Sequence, residues 1–173
     1  MRRKSFESLQ CPIARSLERV GEWWSILILR DAFQGATRFE QFQKNLDIAP
    51  NMLTRRLAAL VEAGLLERRR YSEHPPRDEY LLTERGRDFR PVLWALLAWG
   101  NKHFAPEGPS VVLVDRATGT PAEPVLVDRV SGQPMTPARF RTAAGPAADE
   151  GTRRRHGAAR VAPDAPAGGT DVR

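Results

Sequence analysis

Residues 37–46 read TRFEQFQKNL, and residues 49–66 read APNMLTRRLAALVEAGLL. In the first stretch, Thr37 and Glu40 match the Thr-x-x-Glu capping box, so we predict a helix that begins at Arg38. Its apolar residues recur at spacings of three and four, which places them on one face: Phe39, Phe42 and Leu46. This pattern predicts a short helix that packs one side against a core.

A second helix is predicted after a tight turn at residues 47–49. Pro50 suits the first helical position, where its missing N–H costs nothing, and Gly64 suits the position just after the helix end. The apolar stripe between them consists of Leu53, Leu57, Leu60 and Val61. Two helices joined by so short a turn predict a helix-turn-helix.

The face opposite the leucine stripe is small and polar. At about 100° per residue, it comprises Asn51, Met52, Arg55, Ala59 and Glu62, flanked by Arg56 and Ala58. Arginine can pair with guanine and asparagine with adenine, and both can contact phosphates. An ordinary solvated face is the alternative, because most amphipathic helices carry charge on that side.

A basic hairpin follows the two helices. Residues 65–71 (LLERRRY) and 77–82 (RDEYLL) have the composition of strands, and the SEHPP sequence at 72–76 cannot continue a strand. Alternation puts Leu66, Arg68 and Arg70 on one face. Arginines near the tip would meet phosphate or the minor groove. Alternatively, these charges only prevent edge-to-edge pairing of an exposed hairpin.

Together these elements predict one DNA-binding surface. A recognition helix at about 50–63 would enter the major groove, and a wing at about 66–82 would contact the backbone or the minor groove. The candidate DNA-binding residues are Arg38, Asn51, Met52, Thr54, Arg55, Arg56, Arg68, Arg70, His74 and Arg77.

An ordered set of short motifs extends over residues 8–104. It comprises CPIAR (11–15), Gly21 through Trp24, ILRD (28–31), Gly35, Arg38-Phe39, Leu53, Arg56-Leu57, Gly64-Leu65, PPR (75–77), Glu79-Tyr80, Leu82-Thr83, Gly86 and Trp99-Gly100. The set resembles the HxlR-type winged helix-turn-helix transcriptional regulators of the MarR-like group. The resemblance implies a winged-helix core and a homodimer that binds palindromic operator double-stranded DNA, with repression as the default because a dimer on a promoter blocks polymerase.

Two positions depart from the family pattern. Trp23 stands where the family usually has Lys or Arg, so a phosphate contact is missing there. Ala49 stands where a capping Ser is common, which weakens the start of the recognition helix by about 0.5–2 kcal/mol.

The first and last helices of this domain are predicted to form the homodimer interface. Helix one has an apolar stripe of Ile13, Leu17 and Val20 and ends at Gly21. The last helix, capped by Thr83 and kinked by Pro91, is apolar on several sides: Phe89, Val92, Leu93, Leu96, Leu97 and Trp99. Such a dimer would place two recognition helices about 34 Å apart.

The tryptophans are candidates for a ligand site or an interface. Trp23 and Trp24 are adjacent in the apolar second helix, so they cannot both face one core. We expect Trp24 to pack inside and Trp23 to face the partner subunit, a ligand crevice or DNA. Trp99 belongs to the same candidate set, although core packing is the commoner use of such aromatics.

Cys11 is the single cysteine of the chain and a candidate redox sensor. A thiol near a helix N-terminus can have a lowered pKa, and in some members of the resembled family a cysteine here senses oxidants or electrophiles. With no second cysteine, only a disulfide between two copies or a small-thiol adduct is available. The alternative is a small residue packed at the dimer interface.

The C-terminal region contains an internal repeat. Residues 112–121 (VLVDRATGTP) and 125–134 (VLVDRVSGQP) each have a β-run followed by a glycine turn, which together predict a small antiparallel ribbon within residues 110–140. Some members of the resembled family carry a zinc-ribbon-like tail with cysteines at such turns. Here Thr118 and Ser131 occupy the turns, so no metal site is expected. The composition of residues 141–173 predicts a disordered tail.

Composition and charge narrow the function. The net charge of +6 over 173 residues lies mostly within residues 1–105, as a DNA-binding domain needs. The chain has no secretory h-region and no membrane-length apolar run, so we expect a cytoplasmic, bacterial-type protein with no membrane partner. Its three histidines form no catalytic pattern, and no cofactor is predicted, so an enzyme is not expected. The alternative function is a dimeric protein-interaction module that has lost sequence-specific DNA binding.

Overall fold

The computed structural model describes residues 11–157, in which helices alternate with two small hairpins. The elements are α1 Pro12–Val20, α2 Trp23–Phe33, α3 Phe39–Leu46, α4 Pro50–Glu62, β1 Leu66–Glu73, β2 Pro76–Leu82, α5 Glu84–Arg87, α6 Arg90–Phe104, β3 Leu113–Val114, β4 Pro121–Ala122 and α7 Glu150–His156. The mainly helical architecture with a small β-wing is confirmed. The chain divides between Pro134 and Met135 into two compact units.

The core of the first unit is built around α2. Ile28 and Leu29 are fully buried, and the predicted stripe of α4 and the middle of α3 pack with them. The fully buried side chains from these helices and from β1 include Phe42, Leu53, Leu57, Leu60 and Leu66. Gly64 has a φ of +69°, a conformation that favours glycine, so α4 ends where the sequence predicts.

The start of α3 differs from the predicted capping box. The helix begins at Phe39, one residue later than expected. The side-chain oxygen of Gln41 accepts hydrogen bonds from the N–H groups of Thr37 and Arg38, both at 2.9 Å. Because the helix starts one residue later, the side chain that accepts these hydrogen bonds belongs to Gln41. The prediction that Glu40 completes the capping box was wrong.

The base of the wing is fastened to the end of α4. The hydroxyl of Thr83 donates to Gly64 O at 2.6 Å, and the N–H of Thr83 donates to Leu65 O at 3.1 Å. A Cβ on Gly86 would lie 2.1 Å from Leu65 O, so only glycine allows α5 to pack this closely. These contacts set the position from which β1 and β2 leave the core.

The last long helix does not start at Thr83. The hydroxyl of Thr83 accepts from Gly86 N at 3.0 Å and caps only the four-residue α5. Helix α6 begins separately at Arg90 and has Pro91 in its first turn. A proline there removes no helical hydrogen bond, so the predicted kink at Pro91 was wrong.

The two copies of the C-terminal repeat close on themselves. Strands β3 and β4 pair within the first copy, and an isolated bridge joins Val127 to Pro134 within the second. The N–H of Asp115 donates to Thr120 O and that of Asp128 to Gln133 O, both at 2.9 Å. The predicted antiparallel ribbon is therefore present within the first copy, where β3 pairs with β4, and not between the two copies, because each aspartate organises its own turn.

The described part of the second unit, residues 135–157, contains α7. The side chain of Asp149 accepts from Thr152 N at 2.6 Å, and Ala144 N donates to Gly157 O at 2.8 Å. The prediction of disorder was wrong for residues 150–156, which form α7. Composition alone does not predict that Asp149 caps a short helix here. Residues 158–173, to which that prediction also applied, lie outside the described residues. Among the helices of residues 11–157, none is both long and apolar enough to cross a membrane.

Candidate nucleic-acid interface

The helix-turn-helix consists of α3, the turn at residues 47–49 and α4. Asp47 has a φ of +48°, which lets the chain reverse within three residues. Because Leu53, Leu57 and Leu60 are fully buried, the other side of α4 must face outward. The exposed residues on that side are Asn51, Thr54, Arg55, Ala58, Ala59 and Glu62.

The first two turns of α4 carry the polar groups. The hydroxyl of Thr54 donates to Pro50 O at 2.9 Å, and the Nε of Arg55 donates to Asn51 O at 3.3 Å. No side chain caps this helix at Ala49. The N-terminal end of a helix carries partial positive charge, so the N-terminal half of α4 offers an exposed arginine, an exposed asparagine and a favourable dipole to an anionic partner.

Two candidate DNA-binding residues of α4, one predicted on the exposed face and one beside it, are partly covered. Met52 is partly buried and packs against the core. Arg56 has only 24% of its side chain exposed and forms an ion pair with Glu22 at 3.1 Å. The helical wheel was wrong for Met52 because α1 as well as α2 contacts α4, which makes the covered sector wider than the leucine stripe. Arg56 joins α4 to the start of α2 and is not free for DNA.

Arg38 lies exposed where α3 meets the wing. Its guanidinium carbon is 4.7 Å from the centre of the Tyr71 ring, a cation–π distance. The N–H of Tyr80 donates to Thr37 O at 2.7 Å, so β2 is attached to the chain two residues before α3. The base of the wing is therefore held beside the helix-turn-helix, and the contact of Arg38 with Tyr71 connects α3 to the wing.

The wing arginines are held by acids of the opposite strand. Arg68 and Arg70 both bind the carboxylate of Asp78, with the Nε of Arg70 at 2.9 Å. These hydrogen bonds, that from Arg70 first, hold the pKa of the Asp78 carboxyl below its ordinary value. Arg69 binds Glu79 through its Nε and a terminal nitrogen at 2.9 and 2.8 Å.

The acid partners of the wing arginines were not predicted from the sequence. Arg69 lies directly opposite Glu79, and Arg70 directly opposite Asp78, and such cross-strand pairs attract. Counting outward from the centre of the turn would predict which residues face each other across the hairpin. That count fails here because the strand register shifts between Arg70 and Ser72. The alternative explanation, that these charges only prevent edge-to-edge pairing of the hairpin, is not tested by these contacts.

The tip of the wing presents uncompensated groups. His74 and Arg77 are exposed, and within residues 11–157 neither side chain has a hydrogen bond or an ion pair. The His74–Pro75 peptide bond is cis, and the hydroxyl of Ser72 donates to Pro75 O at 3.0 Å. Arg77 is therefore a wing cation that is available without displacing an internal carboxylate.

The remaining candidate residues are dispersed. Trp24 packs against the core, whereas Trp23 is 73% exposed and meets Trp24 edge-on at a centroid distance of 6.3 Å. Trp99 is exposed on α6, 4.9 Å from the Phe104 ring. Cys11 is exposed at the N-cap of α1. In the described part of the chain, no cluster of three or more His, Cys, Asp or Glu residues could hold a metal ion.

Comparison with known proteins identifies this arrangement. Residues 19–108 match the family model of the HxlR-like helix-turn-helix. The chain is 46% identical over 113 residues to Rv3095 of Mycobacterium tuberculosis, described as an uncharacterized HTH-type transcriptional regulator; the match covers 65% of this chain and 72% of that protein.

Solved structures resemble the chain as well. The structure of PA1374 from Pseudomonas aeruginosa, described as a candidate transcription factor, is 58% identical, covers 84% of this chain and 99% of that chain, and has a TM-score of 0.62. The redox regulator HypR in its oxidized form is 32% identical, covers 54% of this chain and 97% of that chain, and has a TM-score of 0.50. The chain belongs to the HxlR-like helix-turn-helix family and is a transcriptional regulator with a winged helix-turn-helix domain.

Proposed function

We propose that this regulator binds operator double-stranded DNA as a homodimer and acts as a repressor in the cytoplasm. The observation that carries the proposal is the exposed face of α4, which presents Asn51 and Arg55 on a helix whose opposite side is locked into the core. Ala58 and Ala59 on the same face leave room for close approach to a groove. The wing begins directly after this helix and supplies the second contact.

Arg55 is proposed to contact base edges in the major groove. It lies exposed in the second turn of α4, and its hydrogen bond to Asn51 O, at 3.3 Å, is long and easily exchanged for a better acceptor. The N-terminal residues of a recognition helix are those that reach base edges. Asn51 is one turn away and would contact a neighbouring base or phosphate.

Replacing Arg55 with alanine should weaken specific binding. We expect a loss of about 1–3 kcal/mol, measured by fluorescence anisotropy with the intergenic DNA next to the gene. Arg129→Ala is the matched control, because it removes an exposed positive charge outside the helix-turn-helix. Equal losses in both variants would contradict base contact by Arg55. The alternative function, a protein-interaction module without sequence-specific DNA binding, predicts no specific complex to weaken.

The homodimer is proposed because two helices leave apolar faces uncovered. On α1, Ile13 is 72% and Leu17 46% exposed. Helix α6 has no buried residue, and its exposed side chains include Val92, Trp99 and Phe104. Contiguous apolar surface of this kind marks an interaction site, and a second copy of α1 and α6 has the matching character.

Ile13→Glu should shift the protein toward the monomer of 19.4 kDa. A carboxylate placed in an apolar interface loses its water without gaining a partner, and the measurement is sedimentation equilibrium over a concentration series. Ile13 is so exposed that its replacement does not disturb the core of one subunit. Val130→Glu is the control, since Val130 is 91% exposed and lies outside both helices. An Ile13→Glu dimer as stable as wild type would rule out α1 as the interface.

The wing is proposed to bind phosphates after its arginines exchange partners. Arg68 and Arg70 remain 58% and 43% exposed although Asp78 binds both. A DNA phosphate and the Asp78 carboxylate therefore compete for the same two guanidinium groups. Asp78 therefore lowers the affinity of Arg68 and Arg70 for DNA phosphates.

Asp78→Asn should strengthen binding to DNA of any sequence. Loss of the carboxylate frees Arg68 and Arg70 for phosphate, and we expect a gain of about fivefold or more at low salt, measured with a random duplex. Glu67→Gln is the control: it removes an exposed wing carboxylate that, within the described residues, pairs with no arginine. If both variants gained equally, net charge alone would be responsible.

A redox response through Cys11 is proposed in addition. Cys11 is exposed at the start of α1, the helix proposed for the dimer interface, and a structure similar to this chain is described as a redox regulator. Diamide can oxidise two Cys11 thiols, one from each subunit, to a disulfide and take up the two electrons and two protons itself. A Trp23 ligand crevice is the other proposed effector route.

Diamide should weaken operator binding of the wild-type protein, and Cys11→Ser should abolish the response. The bond between two first helices would change the separation of the two recognition helices, which must match about one DNA turn. Gel shifts of oxidised and re-reduced protein measure the effect, and nonreducing electrophoresis shows whether the disulfide forms. Oxidised wild-type protein that binds as tightly as reduced protein would refute the sensor role.

A further inference from the structure

A groove lies between α2, α6 and residues 110–116, all within the first unit. Its volume is about 620 Å³, inside the range of about 300–1,000 Å³ typical of small-molecule sites. The side-chain amide of Asn101 donates to Val111 O at 2.9 Å and attaches the third wall to α6. That wall lies beyond residues 19–108, which match the family model, so the complete groove is not a feature of the matched domain alone.

The lining is apolar with three arginines and no acid. The arginines are Arg30, Arg90 and Arg116. Arg30 is paired with Asp31 at 2.8 Å, and the guanidinium carbon of Arg90 stands 4.7 Å from the Phe33 ring centre. In the described part of the chain, neither Arg90 nor Arg116 has a carboxylate partner. Two positive charges that line the groove are therefore uncompensated.

The groove has a basic end and an apolar end. The contact between Arg90 and Phe33 places the start of α6 beside the end of α2, where Arg30 and Gln34 also lie. Ile26 and Leu27 line the groove earlier along α2, and Leu93 and Leu97 line it later along α6. From Leu27 to Gln34, α2 rises about 10 Å at about 1.5 Å per residue, which suits a medium-length alkyl chain.

We propose that this groove binds a single-chain amphiphile with a carboxylate head, of the medium-chain fatty acid class. The alkyl chain would lie among the aliphatic side chains from α2 and α6, which gain from excluding water. The carboxylate would accept hydrogen bonds from Arg90 and Arg116, whose planar guanidinium groups match its geometry. A neutral amphiphile would leave both charges unsatisfied and is discriminated against for that reason.

Octanoate and 1-octanol form a matched pair of probes, because they share one chain length and differ in charge. Isothermal titration of the full chain, without DNA, should show one saturable octanoate site per chain and binding of 1-octanol weaker by about tenfold. Arg116→Gln should weaken octanoate by about tenfold and leave 1-octanol unchanged. Arg116 is exposed, so this substitution does not compromise folding; Arg90→Gln should act in the same direction.

Arg129→Gln is the control, because Arg129 holds the position equivalent to Arg116 in the second repeat copy and does not line the groove. It should leave octanoate binding unchanged. Equal affinity for both probes, an equal loss in the Arg129 variant, or no saturable octanoate binding would overturn the proposal. In the last case another part of the protein, such as a second copy, fills the groove. The titration contains no DNA, so its outcome is independent of whether the chain binds an operator.

Discussion

The orientation of α4 depends on the burial of three leucines. Leu53, Leu57 and Leu60 are fully buried with Ile28 and Leu29 of α2, and each such side chain contributes about 1.5–3 kcal/mol. An exposed ion pair contributes only about 0.2–1 kcal/mol. Rotation of α4 about its axis by one residue would expose a leucine and bury a guanidinium. The apolar core therefore decides that Asn51 and Arg55 point outward, although it contacts neither of their polar groups.

Weaker polar contacts then set where that face lies relative to the wing. The ion pair of Arg56 with Glu22 joins α4 to the start of α2. Thr83 and Gly86 join the base of the wing to the end of α4, and Arg38 stacks on Tyr71 of the wing. None of these contacts is required to form a helix or a strand. Their effect is that the exposed face of α4 and the wing, which we propose to contact one duplex, keep a constant separation.

The spacing of apolar residues was sufficient to predict α3, the turn, α4 and the wing, because helix and strand periods leave a direct trace in sequence. The misplacement of Met52 has a different origin: a wheel describes one helix and cannot say how many neighbours cover it. The effect of Pro91 depended on whether α5 and α6 are one helix or two. The closure of each repeat on itself depended on side-chain acceptors of Asp115 and Asp128, which hydrophobic patterning does not report. The acid partners of the wing arginines depended on hairpin register.

Asp78 acts as a counterion of Arg68 and Arg70 that is covalently part of the same chain. When a protein binds DNA, mobile ions are released into solution, and the entropy of that release supplies most sequence-independent affinity. The carboxylate that balances Arg68 and Arg70 is tethered to the same hairpin, so displacing it releases nothing into the bulk, and it stays close enough to repel the incoming phosphate. On the proposed binding mode, the affinity of the wing for DNA of arbitrary sequence would thereby be reduced. A protein that must find one operator among a genome of competing sites would gain selectivity from that restraint, because the proposed base contacts of α4 would then make up a larger share of the binding free energy.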